Sequence, residues 1–450
     1  MKAFLKKGQA AADKIWNGRY YLPVMMIIAA AALLTDTNLE CMFIYVLIAV
    51  LFLIFSDDLM SIVAPVMFTL LMSVKYYRNF TELTGYMWYA IVPFALALIF
   101  NLIYYRRPFS GGSFTRPLIA VSAALILGGC GEISAEEYFK PVSLYYTLGL
   151  GLMMLLLYLL IRSRLVNERK YKRTERLAEI LYASGLVVVF TIAAFYAVNL
   201  EEFLEKGTVL FYKPRNYATS VLLMCMPSCC LMVKKSNLHL IGMGLMYCAM
   251  IFSGSRSGLL FGTILLVICI VYIYAKNKDS RRLYRSLALV LAVPVYLFAV
   301  NYIAELYSGR FIEGGLISED ETRIEFIKLG TANFFSNPIF GIGIGNLKDV
   351  EVFKAIVPGS IVFYHNVVIQ IISSMGIVGI VAYGWHFIVR ADLIWTNRHR
   401  ERFVVLGLSY LGILMMSLTN PGIFCPFPEA GLLVLIFALL EEESENRVSK

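Results

Sequence analysis

The chain has 450 residues, 59% hydrophobic and only 16% charged, with a formal net charge of +9. Soluble proteins carry about 25% charged residues, so this composition excludes a soluble globular protein and makes the membrane the solvent. Long apolar runs such as 150–161 are continuous rather than alternating. That excludes a strand pattern and leaves helices, which satisfy their own backbone in hydrocarbon. The basic excess is that of residues flanking membrane helices on the cytoplasmic side, so no nucleic acid partner is expected.

In chain order, the first apolar run, 22–34, follows Lys2, Lys6, Lys7, Lys14 and Arg19. A cleaved signal peptide has this form, but with so many later spans an uncleaved first helix is expected. Helices are predicted near 21–35, 40–56, 59–74, 84–105, 117–131, 142–162, 178–199, 216–233, 238–253, 257–275, 284–304, 364–390, 402–420 and 428–441. Several, notably 59–74, 117–131 and 238–253, fall short of the ~20 residues of a full span. The expected fold is therefore all-α: a polytopic membrane protein of about 12–14 transmembrane helices, one integral membrane domain over 1–450.

With the N-terminus in the cytoplasm, more than two thirds of the 40 lysines and arginines fall on inside segments, as the positive-inside rule requires. The densest inside segment is 162–176, and another is 276–285. The outside loops 35–40 and 131–137 are acidic.

The one large soluble segment, 305–363, is then extracytoplasmic. It is too short for an independent enzyme domain with a deep core. Ser318 and Glu321 have capping-box spacing, and Glu319, Asp320 and Glu321 favour the positive end of a helix. Ile324, Ile327 and Phe334 recur at helical spacing up to the stop at Asn337-Pro338. The prediction is an amphipathic helix over 319–336 on the outer membrane surface, with Arg323 in its first turn.

Of the eight cysteines, Cys225, Cys229, Cys230, Cys248 and Cys269 lie inside apolar runs as small hydrophobes. Cys41, Cys130 and Cys425 lie nearer the outer edge, and no spacing supports a disulfide among them.

Four residues stand at the outer edge by this topology: Arg215, Arg256, Arg323 and His365. Arg256 sits in Ser253-Gly254-Ser255-Arg256-Ser257-Gly258 between two apolar runs. Glycines let the chain turn, and Ser255 or Ser257 can cap the next helix. Free amides at that helix start plus a guanidinium make an anion site; the bland alternative is a hairpin whose arginine snorkels to headgroups. Arg215, in Lys213-Pro214-Arg215-Asn216, opens a helix in the same way, and lipid phosphate alone would also explain it. His365, in Tyr364-His365-Asn366, has an ordinary pKa of about 6.5, suited to proton transfer near neutrality. A lone interfacial histidine is commonly a surface residue, but His239, His386 and His399 fall near or within the cytoplasmic side.

Gly341-Ile342-Gly343-Ile344-Gly345 is a dinucleotide fingerprint only superficially, because no βαβ unit surrounds it. A flexible turn against the membrane is the plain reading. No Asp-x-Asp, paired-histidine helix, CxxC or P-loop occurs. Charge is scarce in the helix middles, which argues against an ion-coupled transporter.

Taken in order, these segments resemble the O-antigen ligase and polysaccharide polymerase superfamily over roughly Gly207 to Gly379. The resemblance rests on Gly207-Thr208 through Arg215-Asn216, on Ser253 through Gly258, on Thr322-Arg323 followed by Asn337 through Asn346, and on His365-Asn366 followed by Gln370, Gly376 and Gly379. It implies a membrane glycosyltransferase of the GT-C class in the bacterial cytoplasmic membrane. Such a protein would move a glycan from undecaprenyl pyrophosphate to an acceptor hydroxyl on the extracytoplasmic face, with no cofactor, nucleotide or metal. Its partners would be lipid-linked oligosaccharide, membrane lipids, a chain-length regulator and a flippase. Carried over by position, Arg215 and Arg256 would hold the pyrophosphate and Arg323 would assist. His365 would take the proton from the acceptor hydroxyl or position it, while Asn216, Ser255, Ser257, Tyr364 and Asn366 would support them. Polymerase is the leading expectation, ligase the second, and a lipid-linked oligosaccharide flippase or exporter the alternative of another class.

Overall fold

The computed structural model describes residues 2–73, 80–128, 141–164, 173–201, 215–276, 315–344, 363–424 and 427–445. Every regular element among them is a helix. Among the described residues, six helices are long and apolar enough to cross a membrane: Asn38–Phe55, Gly85–Tyr104, Ser143–Arg164, Arg173–Val198, Arg256–Lys276 and Val367–Thr396. Trp16 and Thr35 end the two arms of a helix pair bent by 73°, which can supply a seventh span. Met60–Ser73, Thr115–Gly128 and His239–Phe252 are shorter apolar helices. The all-α, polytopic architecture follows, and each predicted run matches a described helix except 284–304, which lies outside the described residues.

The elements are α1 (Lys2–Trp16), α2 (Tyr21–Thr35), α3 (Asn38–Phe55), α4 (Met60–Ser73), α5 (Phe80–Tyr104), α6 (Thr115–Gly128), α7 (Pro141–Leu148), α8 (Met154–Arg164), α9 (Arg173–Val198), α10 (Arg215–Cys225), α11 (Cys229–Met232), α12 (His239–Phe252), α13 (Arg256–Lys276), α14 (Gly315–Ser336), α15 (Val367–Thr396), α16 (Glu401–Met416) and α17 (Phe427–Glu445). α1 is absent from the sequence expectation because it is amphipathic rather than apolar. Leu5, Ala12 and Trp16 are buried, while Lys6, Lys7 and Lys14 are exposed. A π-turn at Gly149–Met153 joins α7 to α8, and a 3-10 turn at Met226–Ser228 joins α10 to α11, where Pro227 lacks an amide to donate.

The chain divides into two units, Met1–Pro108 with Arg164–Ser308, and Phe109–Ser163 with Gly309–Lys450. In the first, α2 and α4 pack on α9, and α10, α12 and α13 complete the helical array. One end of that unit is charged. Arg107 pairs with Asp57 at 2.8 Å, Arg173 with Asp58 at 3.4 Å, and Glu179 with Arg176 and Lys235.

In the second unit, α6 and α14 pack against α15. It too has a charged end, where Arg162 meets Glu445 at 2.6 Å, Arg402 meets Glu443 at 2.8 Å and Asn397 reaches Ser444. Paired charges at helix ends leave the middles apolar, as hydrocarbon demands.

Two boundaries differ from expectation. α14 starts at Gly315, so Ser318 lies inside the helix rather than at its cap. α15 starts at Val367, because the Asn366 side chain caps it by accepting from Val368 N and Ile369 N. His365 is therefore a pre-helix residue and not part of the first turn. Cys41, Cys225, Cys229, Cys230, Cys248 and Cys269 are free thiols; Cys130 and Cys425 lie outside the described residues.

Candidate functional site

In the first unit, Arg215 and Arg256 are each the first residue of a helix, α10 and α13. Ser255 is the N-cap of α13: its Oγ accepts from Gly258 N at 3.2 Å. The same hydroxyl donates to Asn216 Oδ1 at 2.9 Å. That bond ties the two helix starts together.

Beneath it, Thr219 Oγ1 donates to Arg215 O at 2.6 Å and lies 3.1 Å from Ser253 Oγ. A Cβ on Gly258 would stand 2.1 Å from Thr219 Cγ2, so only glycine lets α13 approach α10 this closely. Gly254, at φ +69°, makes the turn into α13.

The result is two half-buried guanidiniums at two neighbouring helix starts, whose positive dipole ends favour a multiply charged anion. α9 and α12 both run from the charged end of the unit to this one, where Tyr196 OH donates to Phe252 O at 2.7 Å. The two arginines therefore sit opposite the charged end. Lys213 and Pro214 lie outside the described residues, as does Gly207-Thr208.

In the second unit, His365 has φ +53°, a left-handed conformation that a non-glycine residue adopts at a cost of about 1–3 kcal/mol. Its neighbours hold it there. Tyr364 OH accepts from Asn333 Nδ2 at 2.8 Å and from Ser373 Oγ at 2.6 Å, and Tyr364 N donates to Gln370 Oε1 at 3.0 Å. On the other side, Asn366 Nδ2 donates to Leu418 O at 3.1 Å.

The Phe326 ring covers the imidazole at 5.7 Å. Burial, and then the Arg323 cation, push the His365 pKa down to about 4. The imidazole is thus neutral at pH 7, able to accept a proton but a weak base beside the Arg323 cation. His365 and Arg323 are electrostatically coupled, and His365 lies at the end of α15 remote from Asn397 and the charged end. Ile324, Ile327 and Phe335 are exposed on α14 while Phe326 is buried.

α15 is interrupted at Gly376, with φ +59° and ψ −150°. A continuous helix would join Ile377 N to Ser373 O and Val378 N to Ser374 O. Both bonds are exchanged for bonds to the Asn337–Gly343 loop. Ile377 N donates to Pro338 O and Val378 N to Ile339 O, while Ile342 N and Gly343 N donate to Ser373 O and Ser374 O.

A backbone break inside an apolar span is tolerated because every freed group is satisfied by protein. Gly341 and Gly343, both at positive φ, allow the contact, and Gly128 lets Phe340 O approach the end of α6. Ser143 Oγ donates to Ile344 O at 2.9 Å. The glycine run is therefore a buried docking segment and not a free turn. Ser373 and Gln370 carry its position to Tyr364, next to His365. Gly345 and Asn346 lie outside the described residues.

The structure thus brings Arg215, Asn216, Ser255 and Arg256 together in one unit, and Arg323, Tyr364, His365 and Asn366 together in the other. Ser257 is buried one residue into α13. Thr219, Asn333 and Ser373 were not singled out by sequence reasoning; each is an ordinary polar residue whose role depends on a partner supplied by the fold.

These features define a class, an integral membrane protein of many helices with cationic, capped helix starts at one end of a unit. Within that class, residues 241–384, about a third of the chain, match the family model described as O-antigen ligase. The match supports the O-antigen ligase and polymerase superfamily, and a glycosyltransferase-like function of the ligase or polymerase type. The matched span contains Arg256, Arg323, His365 and the break at Gly376, and leaves out Arg215. No curated protein and no solved structure matches the chain.

Proposed function

We propose that the protein is a surface-polysaccharide polymerase that transfers undecaprenyl-pyrophosphate-linked glycan to a sugar hydroxyl of another lipid-linked repeat unit. The observation that carries this reading is the Ser255–Asn216 bond, which unites two helix starts that each open on an arginine. A diphosphate leaving group gains negative charge as its bond to the anomeric carbon breaks, and paired guanidiniums with helix-start amides stabilise that charge where it develops. In this reading Arg215 and Arg256 hold the diphosphate and Arg323 assists.

The acceptor oxygen attacks the anomeric carbon opposite the leaving group, undecaprenyl pyrophosphate departs, and the acceptor proton passes to His365. The reaction lies on the extracytoplasmic face of the cytoplasmic membrane, with the N-terminus on the other side, and needs neither metal nor nucleotide. Ligase activity toward a different envelope acceptor is the second reading, favoured by the description of the matching family.

The test is direct. Purified protein given undecaprenyl-pyrophosphate oligosaccharide should yield a ladder of longer lipid-linked chains and free undecaprenyl pyrophosphate. Label moving instead to another envelope acceptor identifies a ligase. Substrate left unchanged across a range of acceptors, but moved across a vesicle membrane, overturns glycosyl transfer in favour of a flippase or exporter.

A further inference from the structure

The second unit contains a cavity of about 40 Å³ beside the distal part of α15. His386 and Arg390 line it with Tyr383, and the remaining wall is apolar, including Leu118, Val121 and Leu433. At ~1.5 Å per helical residue, His386 lies up to about 30 Å along the chain axis from His365, so this is not the proposed transfer site.

Arg390 is 6% exposed and His386 5%. The Arg390 guanidinium lies over the Phe437 ring at 4.6 Å and the Tyr410 ring at 5.3 Å. Its Nε is buried without a hydrogen-bond partner, and it forms no ion pair with any described carboxylate. Glu441, one turn beyond Phe437 on α17, is taken by Ser113, Tyr158 and Arg162. His386 meets the edge of Phe114 and makes no hydrogen bond to a described residue.

A buried cation without a counter-ion is costly, and ring faces offset only part of that cost. Intramembrane cations of this kind mark ligand sites. The cavity wall offers a guanidinium and an imidazole and no carboxylate, so its complement is an anion. The space accommodates about three waters or one phosphate-sized group.

We propose that the cavity around His386 and Arg390 binds a phosphate group, supplied by an anionic lipid headgroup or by free phosphate, at a site separate from the transfer chemistry. Arg390 balances the phosphate charge and His386 donates a hydrogen bond to it. The apolar wall and the position of the site within a membrane span suit a phosphate carried on acyl chains.

The experiment uses the full chain reconstituted in phosphatidylcholine nanodiscs, with phosphatidylglycerol added to one set and inorganic phosphate to another. Thermal unfolding and native mass spectrometry are the readouts. Phosphatidylglycerol should raise the wild-type Tm and remain bound as a discrete lipid. Arg390→Met should lose that rise, Arg398→Ala, just beyond the end of α15, should keep it, and His386→Leu should weaken phosphatidylglycerol retention several-fold. An equal rise from inorganic phosphate alone identifies the free anion as the source and supports the site. If neither addition stabilises the wild type, or if Arg390→Met responds as the wild type does, the proposal fails. It also fails if Arg390→Met lowers Tm equally in every lipid, because Arg390 then serves only as packing.

Discussion

Ser255 donates to Asn216 Oδ1 at 2.9 Å, and through that bond the start of α13 is fixed beside the start of α10. Arg256 and Arg215 are the next residue after Ser255 and the residue before Asn216, so the bond sets the spacing of the two guanidiniums. Ser255→Ala removes both this bond and the N-cap to Gly258. It should lower stability by about 1 kcal/mol and weaken binding of undecaprenyl pyrophosphate several-fold. Calorimetry and lipid titration read the two effects. Unchanged lipid affinity would show that the spacing of the arginines does not matter.

Arg256→Ala and Arg323→Ala are expected each to reduce diphosphate affinity. If both cations act on one diphosphate, the double variant should depart from additivity by about 0.5–3 kcal/mol. Strictly additive losses in a double-mutant cycle would assign the two residues to separate binding events.

The pH dependence of transfer reports on His365. Its pKa is lowered from 6.5 to about 4 by burial and then by Arg323. A base must be neutral, so the acid limb of kcat/KM, which reads the free enzyme, should fall near pH 4, and Arg323→Ala should move it toward 6.5. Stability carries the same sign. Between about pH 6.5 and 4 the unfolded chain binds a proton that the folded chain refuses, so stability falls as pH drops through that window and is indifferent to this group above it. An acid limb already at 6.5 in the wild type would contradict the buried, cation-facing imidazole.

Tyr364→Phe leaves the Asn333 amide and the Ser373 hydroxyl without their acceptor. Buried donors stranded in this way cost about 1–3 kcal/mol. Because the backbone of His365 is held against its own preference, the loss should reduce kcat more than it reduces donor affinity. A variant with wild-type kcat would show that Asn366 and Gln370 suffice to hold the histidine.

Gly376→Ala should be more damaging than either. The φ and ψ at Gly376 are closed to a side chain, and a Cβ there would lie 2.4 Å from Pro338 O. The expected result is a drop in Tm and in folded yield from strain of about 1–3 kcal/mol plus the displaced loop. Thermal unfolding at normal Tm would mean that the break can close into regular helix without consequence.

The helices and the placement of basic clusters were legible in the sequence because hydrophobic run length and charge distribution are local quantities that the bilayer reads directly. The helix from 238 to 253 and its neighbour from 257 to 275 lie within a residue or so of the described bounds, and of the two candidate caps, Ser255 and Ser257, the structure selects Ser255. The helix break at Gly376 was not legible. Its four exchanged hydrogen bonds leave no trace in hydropathy, since a satisfied gap and a continuous helix are equally apolar. α1 was missed because its apolar stripe is too narrow to register as a run.

Composition and periodicity alone settled that this chain lives in a membrane and is helical, and its ordered motifs carried the resemblance to the ligase and polymerase superfamily. Only the folded arrangement decided that Asn216 meets Ser255, that the glycine-rich loop completes α15, that His365 is strained and neutral, and that Arg390 lines a cavity with no described carboxylate in its wall. Those facts depend on contacts between residues tens of positions apart, and the energy of such a contact belongs to the pair rather than to either residue.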